Sequence, residues 1–424
     1  MTRRCDLVIT GMGVICPIGV GVDAVRQSLK DCASGVARVR RFDPSGLEIQ
    51  IGAEIPGFDA KQYVRPRKSL KVMAHDIQVA FSAATMAVDQ AGLGPGKLPP
   101  ERWGVVQGCE LISGDYNDTI DVYRNCTDEA GEFVYERWGK RAMSDIYPLW
   151  MLKYLPNMPA CHVGIANDAR GPNNSLAVGE VSGVLAFAEG ASVIERGHAD
   201  AMIVGSGGNR LTLTKILWET NDDLSHDQED PTQTPRPFDA RRDGTVNGEG
   251  AASFVLEKAE QAQARGAAPL ARALGFSSCF GAAGPGVSPG PAVETMVRAM
   301  RQALARSELS AEEIGFISAH GLATKEGDAR EAAAIREVFG DTPVYAGKGA
   351  FGSLGAGGSA VETAAALIGL LEGWIPPTRN FEQPDPECPI HVVAGEPQPL
   401  ARPTFLKLSY DLEGQAAALV ISKA

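Results

Sequence analysis

Two patterns of hydrophobic and polar positions alternate along the chain. Short runs rich in β-branched and small apolar residues occur at Leu7–Thr10, Trp103–Gln107, Ala201–Gly205, Ala252–Glu257, Ile314–Ser318, Pro343–Ala346, His391–Val393 and Ala417–Ile421. Such runs predict strands. Between them lie longer stretches in which apolar residues return every three or four positions: Val22–Lys30, Val72–Gln90, Val181–Arg196, Ala292–Arg306, Lys325–Val338 and Glu362–Glu372. That spacing predicts helices. Strands and helices mixed in this way predict an α/β protein whose sheets are covered by helices.

The helix over Val181–Arg196 is the most informative. Val181, Val184, Leu185 and Ala188 recur at helical spacing, and Gly197 follows as a stop signal. Glu180 therefore stands at or beside the helix N-terminus. Free N–H groups and the helix dipole there favour a negative charge by about 0.3–1 kcal/mol. A surface helix and turn over Lys258–Pro269, then a Gly/Pro-rich loop at Gly281–Pro291, predict a boundary near residue 260, between halves 1–260 and 261–424. Residues 110–155, rich in Tyr, Trp, Met and charge, read as an insertion on the first half. Each half shows strand–loop–helix units, but no internal sequence repeat is visible.

With 424 residues, 44% of them hydrophobic, the chain can bury a large core. No run of about 18 apolar residues occurs, which argues against a membrane span. Met1-Thr-Arg-Arg-Cys-Asp leads straight into the first predicted strand without the apolar region of a signal peptide, so a cytoplasmic location is expected. The formal charge of −12 argues against nucleic acid as a partner. It leaves room for an acidic protein met by a local basic patch, and the densest such patch is Arg65-Pro-Arg67-Lys68-Ser-Leu-Lys71. The eight cysteines are scattered without paired spacing, so no disulfide framework, metal site or cofactor is expected. Cys109 follows a predicted strand and reads first as a small buried hydrophobe. Cys161 and His162 are adjacent; on an extended segment they point to opposite faces and form no catalytic pair.

Five ordered blocks resemble the elongating β-ketoacyl-acyl-carrier-protein synthases of the thiolase superfamily. They are Val8-Ile-Thr-Gly-Met-Gly-Val-Ile-Cys-Pro-Ile-Gly, Gly171-Pro-Asn-Asn-Ser-Leu-Ala-Val-Gly-Glu180-Val-Ser-Gly, Arg236-Pro-Phe-Asp with Gly248-Glu249-Gly250, Ala319-His-Gly-Leu-Ala-Thr-Lys-Glu-Gly-Asp, and Gly347-Lys-Gly-Ala-Phe-Gly-Ser-Leu-Gly-Ala-Gly-Gly-Ser-Ala-Val-Glu. The resemblance implies a thiolase-like fold with two pseudo-symmetric halves in five α-β-α-β-α layers, paired with a second such chain. Family chemistry uses a cysteine thiolate as acyl acceptor, two histidines that donate to the malonyl thioester carbonyl, and a backbone oxyanion hole. By the same resemblance, His320 matches the first histidine. Lys348 and Glu362 match a buried ion pair that orders the site, and Asp328 matches a loop anchor. The Gly248-Glu249-Gly250 turn is architectural.

Three positions depart from the pattern. Glu180 replaces the cysteine and Ser353 replaces the second histidine. Tyr410-Asp-Leu-Glu-Gly-Gln replaces a glycine-rich loop that supplies an oxyanion donor and gates the acyl pocket. The resemblance then implies a non-condensing subunit of the chain-length-factor type, partnering an active ketosynthase in polyketide or specialised fatty-acid synthesis. In such a subunit Glu180 pairs with His320 or Lys348 and fills the dead site, because a buried carboxylate needs a partner. An alternative is a malonyl-carrier-protein decarboxylase that makes primer units. An ionised Glu180 opposes it, since like charges at about 4 Å and an effective dielectric of about 20 cost about 4 kcal/mol. Further alternatives are a self-pairing acyl-binding scaffold and an enzyme using Glu180 as a base or another thiol. Expected partners are an active ketosynthase subunit or a second copy of the chain, and an acyl carrier protein docking at Arg65, Arg67, Lys68 and Lys71.

Overall fold

The computed structural model describes residues 6–110, 114–218, 223–282, 284 and 289–424. The N-terminal segment with Cys5, residues 111–113 of the expected insertion and much of the Gly281–Pro291 loop lie outside the described residues.

Ten strands carry the fold: β1 (Leu7–Cys16), β2 (Trp103–Gly108), β3 (Asn173–Leu176), β4 (Ala201–Asn209), β5 (Glu249–Lys258), β6 (Ala271–Phe280), β7 (Phe316–Ala319), β8 (Val344–Ala346), β9 (Thr404–Tyr410) and β10 (Gln415–Lys423). The first five are ordered β3-β2-β4-β5-β1, with β2 parallel to β3 and β4, and β5 antiparallel to β4 and β1. The second five are ordered β8-β7-β9-β10-β6 and repeat the same pattern of parallel and antiparallel pairs. The two halves thus share one topology. They meet where Leu7, Val8 and Ile9 of β1 pair antiparallel with Ala273, Arg272 and Ala271 of β6.

Six main helices are α1 (His75–Ala91), α2 (Met158–Asn167), α3 (Ser182–Glu195), α4 (Val293–Ser307), α5 (Lys325–Phe339) and α6 (Gly358–Glu372). Helices α1 and α2 cover the outside of the first sheet, α4 covers the outside of the second, and α5 packs on α4. Helices α3 and α6 lie between the sheets and touch strands of both. The result is the five-layer, thiolase-like α/β architecture.

The sequence explains these placements. Every residue of α6 from Gly358 to Leu370 is buried, as a helix apolar all round must be. All ten residues of β1 are buried, as in a strand covered on both faces. A Cβ added at Gly11 or Gly13 would lie 2.0 Å from the Ala87 carbonyl or 2.1 Å from that of Ala83. Glycine on the strand and alanine on the helix therefore let α1 rest on the β1 backbone. At Gly183 an added Cβ would lie 2.7 Å from the Ala360 amide and 2.6 Å from Ser206 Oγ. This contact locks the N-terminal ends of α3 and α6 together.

Several expectations change. Strands β3, β6 and β9 were not anticipated: Asn-Asn-Ser-Leu is polar, Ala271–Phe280 is only partly buried, and β9 carries a lysine. His391–Val393 forms only an isolated bridge, Val392 to Val344. Cys161 and His162 lie on α2, not on an extended segment. Pro159 in its first turn is compatible with a helix start. Between β2 and α2 the chain forms short helices at Ile120–Asn125 and Tyr135–Asp145, and the second buries none of its residues. Among the described residues no helix is long and apolar enough to cross a membrane.

Candidate functional site

Strand ends and helix starts from both halves converge on one buried cluster. Glu180 sits in the short 3-10 turn Gly179–Val181, directly before α3. Gly179 has φ 56°, which suits glycine and turns the chain so that position 180 faces inward. His320 follows β7, and Lys348 opens the short helix Lys348–Phe351 after β8. Gly352, with φ 71°, reverses the chain into Ser353. The backbone of Ser353 is clamped by hydrogen bonds to Val246 and Gly248, which gives the Gly248-Glu249-Gly250 turn its structural role. Glu362 comes from α6, Lys407 and Ser409 from β9.

Glu180 is held at both carboxylate oxygens. Ser353 Oγ donates to Oε1 at 2.6 Å, and Arg210 Nη1 lies 3.6 Å from the same atom. His320 Nε2 is 3.1 Å and Lys348 Nζ 3.4 Å from Oε2. Lys348 also donates to Glu362 Oε1 at 2.5 Å and to the His320 carbonyl at 3.0 Å. Its ammonium lies 3.2 Å from His320 Nδ1. The other Glu362 oxygen pairs with Lys407 Nζ at 2.6 Å. The side chains of Lys348, Glu362 and Lys407 are fully buried, while Glu180 and Arg210 keep 9% and 24% exposure. Among the described members of the cluster, Glu180 and Arg210 are the side chains that reach toward water.

These contacts set the charges. Burial pushes the Glu180 carboxyl up, but Lys348, the His320 hydrogen bond and Arg210 outweigh it and hold it well below the usual carboxylate range. Burial, then the Lys348 ammonium, lowers His320 to about 4, so it is neutral near pH 7. Lys348 is raised in spite of burial, by Glu362 and Glu180. Glu362 is lowered in spite of burial, by Lys348 and Lys407. A neutral imidazole, two ammonium groups and two carboxylates thus share one dry compartment.

Around this cluster, Asp328 accepts the N–H groups of Phe238 and Ala323 at 2.7 and 2.9 Å and ties two loops together. Glu331 accepts the N–H groups of His320 and Gly321 at 2.6 and 2.8 Å, and so fixes the histidine's backbone. Tyr410 is buried with its ring 4.1 Å from that of His320, centroid to centroid. The loop after it is a tight hairpin. Asp411 Oδ1 accepts N–H groups from Glu413, Gly414 and Gln415. The turn after Tyr410 is thus fastened on a carboxylate.

Sequence reasoning missed Lys407, Ser409, Arg210 and Glu331. Lys407 carried a usable signal: a lone lysine within the apolar run Thr404–Tyr410, on the same strand face as Phe405 and Ser409. Cys109 offers no replacement nucleophile, because burial, with Glu110 beside it, pushes its thiol up to about 12. Cys161 and His162 are not brought into the cluster: His162 Nε2 is buried without a hydrogen-bond partner among the described residues, and Cys161 is near Asn157 at 3.6 Å. Arg65, Arg67, Lys68 and Lys71 are all exposed, on the loop and 3-10 turn before α1. Among the described residues no His, Cys, Asp or Glu group is arranged to hold a metal ion.

Known proteins place this geometry. Residues 5–262 match the β-ketoacyl synthase N-terminal domain and residues 270–382 the β-ketoacyl synthase C-terminal domain. The chain is 30% identical to a 3-oxoacyl-[acyl-carrier-protein] synthase 2 of Synechocystis sp., covering 98% of each chain. It is 33% identical to nodulation protein E of Rhizobium leguminosarum bv. trifolii, covering 94% of each. Among solved structures, the ishigamide ketosynthase/chain length factor superposes with a TM-score of 0.86 at 27% identity, over the full length of both chains. A β-ketoacyl synthase from Burkholderia phymatum gives 0.86 at 27%, over 99% of this chain and all of that one. With both domain models matched in order along most of its length, the chain belongs to the β-ketoacyl synthase family.

Proposed function

We propose that this chain is a non-condensing subunit of the chain-length-factor type, which partners a cysteine-bearing ketosynthase and works with an acyl carrier protein in polyketide or specialised fatty-acid synthesis. One observation carries the reading. The position that, by the sequence resemblance, would accept the acyl group carries a carboxylate held ionised by its contacts with Lys348, His320 and Ser353, the groups that would face a substrate carbonyl. Glu180 is in effect a tethered anion in the place where an enolate would develop. It offers no thiol to acylate. The likeness to the ishigamide ketosynthase/chain length factor supports the same reading.

Malonyl decarboxylation by the chain alone is disfavoured by the same carboxylate. It would sit against the substrate's own negative charge, and the contacts that keep it ionised oppose the protonation that would relieve the repulsion.

The test is co-expression with a cysteine-bearing ketosynthase from the same genome. The expected result is a one-to-one complex whose condensation with carrier-protein substrates depends on both chains. Condensation product formed by this chain in isolation would overturn the proposal.

A further inference from the structure

Along one line of buried ion pairs, the charges are balanced by a residue outside the matched blocks. Lys348 and Glu362 form a neutral pair at 2.5 Å. Glu180 adds a negative charge 3.4 Å from Lys348. Lys407 adds a positive charge 2.6 Å from the second oxygen of Glu362. The four groups alternate in sign along one line: Glu180, Lys348, Glu362, Lys407. His320 beside them is neutral and adds nothing to the count. Arg210 also faces Glu180, at 3.6 Å from the partly exposed side, and is the same in every variant compared below.

We infer that Lys407 is the positioning residue that makes an acid at position 180 tolerable: it neutralises Glu362, which leaves Lys348 free to serve Glu180. The physical basis is the asymmetry of buried charge. A complete set can stand, whereas removal of one member leaves an uncompensated charge in a dry interior. Lys407 has few other duties. Its remaining contacts are the carbonyls of Ala319 at 2.9 Å and Ser318 at 3.4 Å. Two other acids lie nearby: Glu331 is fastened to backbone N–H groups of the His320 loop, and Asp328 accepts two backbone N–H groups and faces Arg242 at 3.7 Å. Glu180 and Lys407, which belong to different halves of the chain, are thus coupled through Lys348 and Glu362. The inference concerns the chemistry of this compartment and stands or falls apart from the partner reading.

The count predicts a reversal of sign. Glu180→Gln leaves one excess positive charge and Lys407→Met one excess negative charge, while the double variant returns to the neutral Lys348–Glu362 pair. In thermal melts each single variant is expected below the parent, and E180Q/K407M above K407M. Glu180→Gln thus destabilises the parent and stabilises the K407M background. If K407M does not fold, recovery of folded protein in the double variant carries the same meaning. A double variant that melts at or below K407M, or fails to fold, overturns the inference. An anion supplied from solution gives a second readout. Glu180→Ala removes the equivalent of one acetate. Its melting temperature should rise saturably with sodium acetate and not with sodium chloride, and the rise should shrink severalfold in E180A/K407M. Equal acetate responses in the two variants, or none in either, would also overturn it.

Discussion

At position 180 a carboxylate fills the middle of the buried cluster. It accepts from Ser353, faces His320 and Lys348, and stays charged while buried. Replacing its charge with a neutral amide should therefore uncover reactivity that the scaffold still holds. In Glu180→Gln the repulsion of about 4 kcal/mol toward a malonyl carboxylate disappears. His320 and Lys348 remain. Carbon dioxide release from malonyl-carrier protein is expected to rise by roughly 100-fold or more over the parent; an unchanged rate would mean that the missing second histidine, not the acid, limits the site. The identities of Glu180, Ser353, His320, Lys348 and Glu362 could be read from the ordered blocks, because each lies in a contiguous motif. Glu331 could not, and Lys407 showed only as a lone lysine in an apolar strand, not as a member of the cluster. They reach the cluster from a strand and a helix face whose neighbours carry no motif, and only the packing of the second sheet brings them in.

The elements around the site act as fixed mounts. Helices α3 and α6 touch at Gly183 with no room for a side chain. Gly183→Ala should force them apart, cost about 1–3 kcal/mol, and shift Glu180 relative to Ser353. Denaturant titration should report the lower stability, and a variant as stable as the parent would show that the helix pair has slack. The loop carrying His320 depends on Glu331, whose carboxyl burial raises to about 7. A carboxyl raised on folding contributes stability that is fully present below its unfolded value of about 4.5 and is lost as pH rises through about 7. Glu331→Gln removes that loss. Between about pH 5 and about pH 8 its melting temperature should improve relative to the parent; a constant difference across the range would refute the assignment. His320, lowered to about 4, acts in the opposite sense, its contribution lost as pH falls from about 6.5 to about 4. Helices α3 to α5 were legible because apolar residues recur at helical spacing, and α6 because it is a long, mostly apolar run of helix-forming residues. Strand β3 was not, since Asn173–Leu176 is an edge strand with mostly polar, partly exposed residues. Helix α2 was missed because Pro159 and a run of small, mostly apolar residues leave it without an amphipathic period.

The whole molecule is two copies of one topology with little residual likeness in sequence. Strand order and pairing repeat between the halves, yet no repeat is visible in the residues. A sheet needs only alternation and burial, and many sequences satisfy both. The α/β class and the family were legible across the full chain; the match of the halves required the register of the strands. On the outer surface, Arg65, Arg67, Lys68 and Lys71 stand exposed in a chain of net charge −12, which suits an acidic carrier protein. Arg67→Glu with Lys68→Glu should weaken carrier-protein binding at low salt by about tenfold or more without changing the melting temperature. Unchanged binding in a titration would place the docking face elsewhere.

The strand at the centre has a mechanical consequence. β1 is gripped along one edge by β5 and at its start along the other by β6, so neither half can come undone without stripping a partner from the other. Heating should give a single calorimetric peak. A backbone nick between residues 265 and 270, in the turn after residues 259–264, should yield two pieces that are insoluble apart and self-assemble when produced together.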